Sequence, residues 1–290
     1  MPARSEEAAV SRSTLYIVAT PIGNLGDMTT RAREVLGAVD VIAAEDTRHT
    51  RQLLQAFGLQ TPTIALHEHN EVQKAEGLLN ELAAGKSIAL VSDAGTPLIS
   101  DPGFALVAAA RKAGHNVVAV PGACAAIAAL SVAGLPTDRF VFEGFLPAKS
   151  SARRERLREL SSETRTLVFY EAPHRIVEVL ADLAVEFGGE RAATVSREIT
   201  KRFETHYTGT LGDLAKRAST DVDMQRGEIV IVVGGAAPAT TTLDADHVLH
   251  ALVDELAPAQ AAKIAAKLTG VKRSDLYERA VELANKARAR

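Results

Sequence analysis

The sequence contains the segment Leu90-Val91-Ser92-Asp93-Ala94-Gly95-Thr96-Pro97-Leu98-Ile99-Ser100-Asp101-Pro102-Gly103. The apolar run before it, residues 88–91, predicts a buried strand, and the alanine-rich run after it, residues 104–113, predicts a helix. Such a joint lies at the carboxyl edge of a parallel sheet, where open α/β proteins bind ligands. Gly95 lets the backbone approach a ligand closely, and Pro97 stiffens the loop. We therefore expect a ligand-binding loop here.

The end of this loop has a second interpretation. Asp101 is a suitable N-cap for the following helix, and Pro102 would then take the first helical position. Capping explains these two residues as well as ligand binding does. It does not explain the other carboxylate and hydroxyl groups of the loop, so both roles remain open for Asp101.

Short apolar runs recur along the chain. In the first half they predict strands at 14–19, 39–44, 63–66, 88–91 and 116–120. Strands that are apolar throughout are typical of a parallel sheet covered by helices on both faces. In the second half they predict strands at 140–143, 166–171, 192–197, 202–207 and 228–233. The short gap between 192–197 and 202–207 suits a hairpin, which makes the second sheet mixed.

The predicted fold class is α/β, with two α/β domains and a small C-terminal helical appendage. The N-terminal domain has a mostly parallel five-stranded sheet, and the second domain has a mixed sheet. A chain of 290 residues suits two domains of ordinary size. We expect a disordered tail at 1–13, domains at 14–121 and 122–235, and a linker with a basic helical appendage at 236–290.

Composition narrows the class of protein. Hydrophobic residues make up 47% of the chain, aromatic residues 4%, and tryptophan is absent, so the cores depend on aliphatic side chains. The single cysteine excludes an intramolecular disulfide and a cysteine cluster for zinc. Met1–Ser13 lacks the apolar centre of a signal peptide, and no run reaches the ~18 apolar residues of a membrane span. We expect a cytoplasmic protein with no membrane contact.

The net charge of −3 is unevenly distributed. Residues 259–290 carry eight basic and three acidic side chains, whereas the other 258 residues carry 25 basic and 33 acidic ones. A basic tail on an acidic body favours a polyanionic partner, the alternative being a solvated helix face. Pro258 and Gly270 bound one predicted helix and Arg273 starts another, an arrangement that resembles a helix-turn-helix. The candidate RNA contacts in this tail are Lys263, Lys267, Lys272 and Arg273.

Seven further motifs accompany the first segment. They are Thr20-Pro21-Ile22-Gly23-Asn24-Leu25-Gly26-Asp27, Ala44-Glu45-Asp46-Thr47-Arg48, His67-Glu68-His69-Asn70, Val120-Pro121-Gly122-Ala123, Glu143-Gly144-Phe145-Leu146-Pro147, Tyr170-Glu171-Ala172-Pro173-His174-Arg175 and Arg197-Glu198-Ile199-Thr200-Lys201. In this order they resemble the ribosomal RNA small subunit methyltransferase I family, a branch of the tetrapyrrole methylase superfamily, over residues 15–234. Cys124 departs from the serine expected in that family but keeps a small side chain.

The resemblance implies an activity. The family uses S-adenosyl-L-methionine to methylate the 2′-hydroxyl of a cytidine in the decoding region of 16S ribosomal RNA, so the implied partner is that RNA or the small subunit. A homodimer and a cofactor cleft between the two domains are also implied. The matching cofactor positions are Pro21, Asp93, Ala94, Gly95, Thr96, Ile99, Ser100, Cys124, Ala125, Glu171, Gly227 and Glu228.

Methyl transfer to a hydroxyl is an in-line displacement that depends mainly on alignment, and a base adds ~10²–10⁴-fold. Each candidate base has a structural alternative, such as helix capping by Asp46 or an ion pair between Glu198 and Lys201. The candidates, of which no one is singled out, are Glu45, Asp46, Glu198 and Lys201, with His49 and His67 beside them.

Several arginines are candidate phosphate contacts, because a guanidinium fork matches phosphate oxygens. Arg48, Arg51 and Arg175 lie in or beside the motifs. Arg153 and Arg154 belong to the basic run 149–158, which predicts either a phosphate-contacting lid or the exposed face of a helix.

Other functions fit less well. A metal site at His67 and His69 is disfavoured because the reaction needs no metal, and Gly23-x-x-Gly26 is not a dinucleotide fingerprint. A tetrapyrrole (precorrin or uroporphyrinogen) C-methyltransferase should carry Gly-Asp-Pro, where this chain has Gly95-Thr96-Pro97, and has no use for a basic tail. The cofactor motifs argue against a non-catalytic RNA-binding protein.

Overall fold

A computed structural model describes residues 10–67, 71–237 and 244–288. The chain forms two compact units, Met1–Ala236 and Ala237–Arg290. Three stretches lie outside the described residues: 1–9 of the predicted tail, 68–70 of the motif His67-Glu68-His69-Asn70, and 238–243 of the predicted linker. Val10 packs against an apolar core that includes Leu36 and Leu54, and the Ser11 amide donates to the Tyr16 hydroxyl at 2.7 Å. The end of the predicted tail 1–13 is therefore part of the folded unit.

The first half of the larger unit is a parallel sheet in the order β3-β2-β4-β1-β5. One apolar core packs against α1 and α2 on one face of this sheet, and another packs against α3 and α4 on the opposite face. Its elements are β1 (Thr14–Val18), α1 (Thr30–Ala38), β2 (Val41–Ala44), α2 (Thr47–Ala56), β3 (Thr63–Ala65), α3 (Glu71–Ala83), β4 (Ile88–Val91), α4 (Phe104–Lys112) and β5 (Asn116–Val120). The strands are apolar on both faces because both faces are covered.

The neighbouring strands β1 and β4 mark the place where this sheet can bind a ligand. The chain leaves β1 through α1 on one face and leaves β4 through α4 on the other. A crevice opens at the carboxyl ends of two parallel strands whose connections diverge in this way. The loops that follow these two strands, residues 19–29 and 92–103, therefore meet at the sheet edge.

The second half of this unit is a mixed sheet in the order β6-β7-β10-β8-β9. Only β6 and β7 pair in parallel, so the predicted mixed sheet is confirmed. Helix α5 covers one face, and α6, α7 and α8 cover the other. The elements are α5 (Ala125–Val132), β6 (Phe140–Phe145), α6 (Ser150–Leu160), β7 (Thr166–Glu171), α7 (Ile176–Phe187), β8 (Ala192–Arg197), β9 (Thr205–Thr210), α8 (Leu211–Thr220) and β10 (Ile229–Val233).

Strand β9 begins three residues later than the sequence predicts. Residues 198–204 form a longer loop because Glu198 and Thr200 adopt positive φ angles of 52° and 67°. Lys201 and Glu204 continue the turn through amide hydrogen bonds to the carbonyls of Glu198 and Lys201, at 3.0 and 3.1 Å. Non-glycine residues rarely adopt this conformation, and sequence pattern does not reveal it.

The C-terminal unit consists of α9 (Ala245–Val253), α10 (Pro258–Thr269) and α11 (Arg273–Arg288) around a small core of its own. Gly270, in the left-handed conformation with φ of 72°, ends α10. The predicted helix starts at Pro258 and Arg273 are confirmed. In the described part of the chain, no helix combines the length and apolar character needed to cross a membrane.

Candidate functional site

A cavity of about 390 Å³ opens beside the loops that follow β1 and β4. Its volume lies within the range of about 300–1,000 Å³ that is usual for small-molecule sites. Predicted cofactor positions line it at Ala94, Gly95, Thr96, Ile99, Ser100, Cys124, Ala125, Glu171 and Glu228. The other lining residues were not among the predicted cofactor positions; they are Ile22, Asp101, Phe145, Tyr170, Ala172, Pro173, Ile199, Ile229 and Val230.

A backbone bridge closes one wall of the cavity. The amide of Thr20 donates to the carbonyl of Gly95 at 2.8 Å, and the amide of Gly95 donates back at 3.2 Å. Gly95 has φ of 84°, and a Cβ atom placed on it would lie 3.2 Å from Cγ2 of Ile22. The turn therefore uses glycine for both its conformation and its lack of a side chain.

Three predicted cofactor residues do not line the cavity. Pro21 is buried next to Ile22, and Oδ1 of Asp93 accepts a hydrogen bond from the Asp46 amide at 3.0 Å. A Cβ atom on Gly227 would lie 2.4 Å from Oε1 of Glu198. Gly227 thus makes room for that carboxylate, a role different from the cofactor contact that the family resemblance implies.

Glu171 brings a buried carboxylate to the cavity. Its Oε1 accepts a hydrogen bond from the Ala172 amide at 2.8 Å and lies 3.3 Å from Nε of Arg175. Its Oε2 is buried and has no hydrogen-bond partner among the described residues. Burial raises the pKa of Glu171 above its ordinary value, although the Ala172 amide and Arg175 oppose the shift. An acceptor of this kind fits a donor or a cation on a bound molecule.

Three further carboxylates gather at the same sheet edge. The Asp93 amide donates to Oε2 of Glu45 at 3.4 Å, and Asp101 lines the cavity. Burial raises the pKa of Glu45; the hydrogen bond from the Asp93 amide opposes this shift, and the negative charges of Asp93 and Asp46 add to it. Burial, followed by the negative charges of Glu45 and Asp93, raises the pKa of Asp101 to about 6, while a hydrogen bond from Ser92 opposes this shift.

Asp101 does not cap the helix that follows it. Helix α4 begins at Phe104 with Gly103 as its N-cap residue. The cap is provided by Glu71 of α3, whose Oε1 accepts hydrogen bonds from the Ala105 and Leu106 amides at 2.6 and 3.4 Å. The capping interpretation of Asp101 is therefore wrong, and this side chain faces the cavity instead.

Asp46, a candidate base, has a structural role. Its Oδ1 accepts from the Arg48 amide at 2.8 Å at the N-terminus of α2, and its carboxylate pairs with the Arg48 guanidinium. The Arg48 hydrogen bonds hold the pKa of Asp46 far below its ordinary value. A carboxylate of such low basicity is unsuited to remove a proton from a hydroxyl.

Glu198 and Lys201 form an ion pair at 2.9 Å, and Lys201 Nζ also lies 3.1 Å from Oε2 of Glu228. Burial opposes both shifts, yet the hydrogen bonds lower the pKa of Glu198 and raise the pKa of Lys201. Lys201 therefore remains a cation and is not a base. Its aliphatic chain lies over Gly23, because a Cβ atom on Gly23 would come within 2.4 Å of Lys201 Cγ.

The aromatic side chain of Phe145 lies on the cavity lining with 57% of its surface exposed. Its ring meets the edge of the Tyr170 ring, with centroids 5.7 Å apart. A bulge between Phe142 and Gly144 shifts the strand register before it. Arg175 Nη2 donates to the carbonyls of Leu146 and Pro147 at 2.9 and 3.1 Å and thereby anchors the strand end.

These contacts correct several predicted RNA contacts. Arg175 is committed to the Phe145 strand end, and Arg153 is buried with its Nε 2.7 Å from Asp182. Arg154 pairs with Glu186 of α7 at 2.7 Å. The run 149–158 thus pairs mainly with acids of the protein itself.

Other predicted RNA contacts face solvent. The side chain of Arg48 is 85% exposed although it pairs with Asp46, and exposed Arg51 donates to the Thr63 hydroxyl at 3.2 Å. The exposed basic side chains of the C-terminal unit include Lys263, Lys267, Lys272 and Arg273. Among the described residues, no group of three or more His, Cys, Asp or Glu side chains is arranged to hold a metal ion.

Comparison with known protein families gives two matches, and a solved structure shares the fold. Residues 14–215 match the family of Tetrapyrrole (Corrin/Porphyrin) Methylases, and residues 239–284 match the RsmI C-terminal HTH domain. A solved cobalt precorrin-4 methyltransferase superposes with a TM-score of 0.58 at 17% identity, covering 77% of this chain and 95% of that one. The family match therefore places the chain among the S-adenosylmethionine-dependent methyltransferases of the tetrapyrrole methylase class, as expected, and the solved structure shares its fold.

Two curated relatives narrow the family. Ribosomal RNA small subunit methyltransferase I of Xylella fastidiosa (strain Temecula1 / ATCC 700964) is 57% identical over 266 residues, which cover 91% of this chain and 97% of that protein. The Escherichia coli O157:H7 protein of the same name is 52% identical, covering 96% and 98%. The chain belongs to the ribosomal RNA small subunit methyltransferase I family.

Proposed function

We propose that this protein transfers a methyl group from S-adenosylmethionine to the 2′-hydroxyl of a cytidine in the decoding region of 16S ribosomal RNA. The main support for this proposal is the cavity at the carboxyl ends of β1 and β4, which is lined by most of the cofactor positions matched to this family. The names of the curated relatives supply the RNA class.

The cavity fits the cofactor in chemistry as well as in size. Apolar walls at Ile22, Ile99 and Ile229 suit the faces of an adenine ring, and the loop at Gly95 exposes backbone to a ligand. The buried Oε2 atom of Glu171 suits a donor or a positive charge on the amino-acid portion. We propose that domains 14–121 and 122–235 each contribute one wall.

When bound, S-adenosylmethionine supplies an electrophilic methyl group next to a positively charged sulfur. The protein's own contribution is to hold the RNA hydroxyl in line with that methyl group and to exclude water. Phe145 offers an exposed ring on which the nucleobase of the target nucleotide can stack, as single-stranded RNA bases do on aromatic side chains. Arg48 and Arg51 are exposed, and we propose that they contact neighbouring phosphates.

The test measures transfer of a labelled methyl group from S-adenosylmethionine to three acceptors: small ribosomal subunits, free 16S RNA and uroporphyrinogen. We expect label in ribosomal RNA, and nuclease digestion with mass spectrometry should find it as 2′-O-methylcytidine. Label on the base, or in uroporphyrinogen alone, contradicts the proposal. Subunits from cells that lack the enzyme are the acceptor of choice, because their target site is unmodified.

We also infer that the protein is a homodimer, as the family resemblance implies. Exposed apolar side chains on α4 and α5, such as Phe104 at 75% and Ile127 at 51% exposure, are of the kind that association covers. Sedimentation equilibrium should give twice the 30.7 kDa mass of one chain. A single-chain mass at micromolar concentration contradicts the inference.

A further inference from the structure

Asp101 lines the cavity, and it does not cap helix α4 although its position in the sequence suggests that role. Glu71 of α3 caps α4, so the Asp101 carboxylate is not needed to begin that helix. The side chain is half-buried, and it lies beside the cavity loop that carries Gly95 and Ser100. The carboxylate accepts a hydrogen bond from Ser92, but it is not needed to cap the neighbouring helix, and a cavity carboxylate of this kind is a candidate for chemistry.

The backbone holds this side chain in place at a cost in free energy. Leu98 and Ser100 adopt φ angles of 73° and 70°, which L-residues other than asparagine and aspartate seldom do. A Cβ atom on Gly144 of β6 would lie 3.1 Å from Oγ of Ser100, so the loop is closely packed from the opposite side as well. Strained backbone of this kind is found at functional sites.

The other carboxylates that line or adjoin the cavity pair mainly with cations of the protein, as Glu228 does with Lys201, and the unpartnered Oε2 of Glu171 is proposed above to meet the cofactor. Asp46 is paired with Arg48, and Glu198 accepts from Lys201 and from the Glu228 amide, each at 2.9 Å. Glu171 accepts from the Ala172 amide at its Oε1. Glu45 does not line the cavity.

We infer that Asp101 is the catalytic base, whose carboxylate takes the proton of the ribose 2′-hydroxyl as that oxygen attacks the methyl carbon. The inference rests on the proposed function. The new bond joins the ribose oxygen to the methyl carbon, and the bond from that carbon to sulfur breaks. Its electron pair stays on sulfur, which becomes a neutral thioether, and the proton stays on Asp101.

The electrostatic setting suits this role. A base with a pKa of about 6 is ionised at neutral pH, and it accepts a proton more readily than an ordinary aspartate does. The titratable groups that act on Asp101 or line the same cavity are Glu45, Asp93, Cys124, Tyr170, Glu171 and Glu228. Glu171 also has a raised pKa, so a rise of the rate with pH could come from either residue. The rise is assigned to Asp101 only if substitution of Asp101 removes it.

The experiment compares Asp101→Asn, Asp101→Glu and the control Glu71→Gln with the wild type in single-turnover methyl transfer. Asp101→Asn should slow transfer by ~10²–10⁴-fold at saturating cofactor, and Asp101→Glu should recover part of the rate. The wild-type rate should rise with pH through about 6, and Asp101→Asn should lose that rise. Glu71→Gln should keep the wild-type pH profile, because it alters only the cap of α4.

Cofactor binding is the second measurement. Calorimetric titration with S-adenosylmethionine should give Asp101→Asn an affinity within about threefold of wild type, since a base acts on the other substrate. An affinity loss with a normal rate at saturation overturns the inference and makes Asp101 a cofactor ligand. An unchanged rate and pH profile overturn it as well. If the wild type does not methylate ribosomal RNA, the proposed function fails, which is a separate outcome.

Discussion

The charge of Asp101 at neutral pH affects stability as well as chemistry. Its pKa in the folded protein is about 6, above the ordinary value of 3.8, so the folded protein holds this proton more tightly than the unfolded chain does. The stabilisation from that proton is complete below pH 3.8 and is lost as the pH rises through about 6. A half-buried group is partly screened by solvent, which limits the effect to ~1 kcal/mol.

Asp101→Asn should therefore stabilise the protein while it inactivates it. Above pH ~7 we expect Tm to rise by about 2–4 °C, because a half-buried negative charge is removed. Below pH ~4 the wild-type side chain is itself protonated, so the difference should disappear. Thermal unfolding followed by circular dichroism over this pH range is the measurement. A Tm difference that is independent of pH would disprove the electrostatic account.

Gly95 is the residue at which a side chain would do most harm to the cavity. Gly95→Val adds a branched side chain within contact distance of Ile22 and should weaken S-adenosylmethionine binding more than tenfold, by our estimate of about 1.4 kcal/mol or more. Gly85→Val is the matched control, because Gly85 has a similar φ of 92° with open space around it. Both variants should lose similar stability, and only Gly95→Val should lose cofactor binding in calorimetry. Wild-type affinity in a folded Gly95→Val protein would refute the assignment of this loop.

At the scale of elements, apolar runs were sufficient to predict the two sheets, but not the contacts that link distant segments. Strand β9 starts late because Glu198 and Thr200 adopt positive φ angles, and no sequence pattern predicts these angles. The cap of α4 comes from Glu71, which lies 34 residues before the amide that it accepts from. Local spacing favoured Asp101 for that role because a nearby carboxylate is the usual cap.

The arginines of helix α6 show that sequence also does not reveal which charged side chains are paired within the fold. These arginines looked available for phosphates, since their acidic partners on α7 lie 25–32 residues further along the chain. Arg153 is buried between Glu178 and Asp182, so it stabilises the helix pair instead. A basic run reveals charge but not whether the fold already neutralises it.

Phe145, at the end of strand β6, offers an exposed ring on which an RNA base can stack. Phe145→Ala should weaken RNA binding by ~5–150-fold, because base stacking on an aromatic ring contributes about 1–3 kcal/mol. Phe145→Tyr, which keeps the ring, should bind nearly as the wild type does. Phe140→Ala is the control, since Phe140 is a partly exposed phenylalanine at the other end of the same strand.

Filter binding with a fragment of the small-subunit RNA measures these affinities, and cofactor titration accompanies it. The stacking role fails if Phe145→Ala and Phe140→Ala lose equal RNA affinity. It also fails if Phe145→Ala lowers S-adenosylmethionine affinity, since the ring would then belong to the cofactor subsite.

At the scale of the whole molecule, the cavity and the exposed basic side chains of the tail belong to different compact units. Every residue that lines the cavity precedes Ala236, and the exposed tail cations follow it. A chain that ends at Ala236 should therefore keep its cofactor affinity and lose RNA affinity. Its RNA binding should also depend less steeply on salt, because each lost phosphate contact removes ~0.7–0.9 from the slope of log K against log salt.

A full-length variant distinguishes the loss of positive charge from the loss of the whole C-terminal unit. In this variant glutamine replaces Lys263, Lys267, Lys272 and Arg273. If these side chains contact phosphates, its salt slope should approach that of the truncated chain. RNA titrations over a salt series and circular dichroism of both proteins are required. Equal slopes in all three proteins would exclude phosphate contacts by the tail, and loss of cofactor binding in a folded truncation would contradict the division of roles.

The separate core of the C-terminal unit also has a use in protein engineering. Leu249, Ala262 and Leu276 pack with one another inside the helical appendage. Because the C-terminal unit has its own core, it can be exchanged without redesigning the unit that contains the cavity. Replacing the C-terminal unit with another RNA-binding module would retarget the same methyl-transfer chemistry to a transcript of choice, with the length of the joining segment as the design variable.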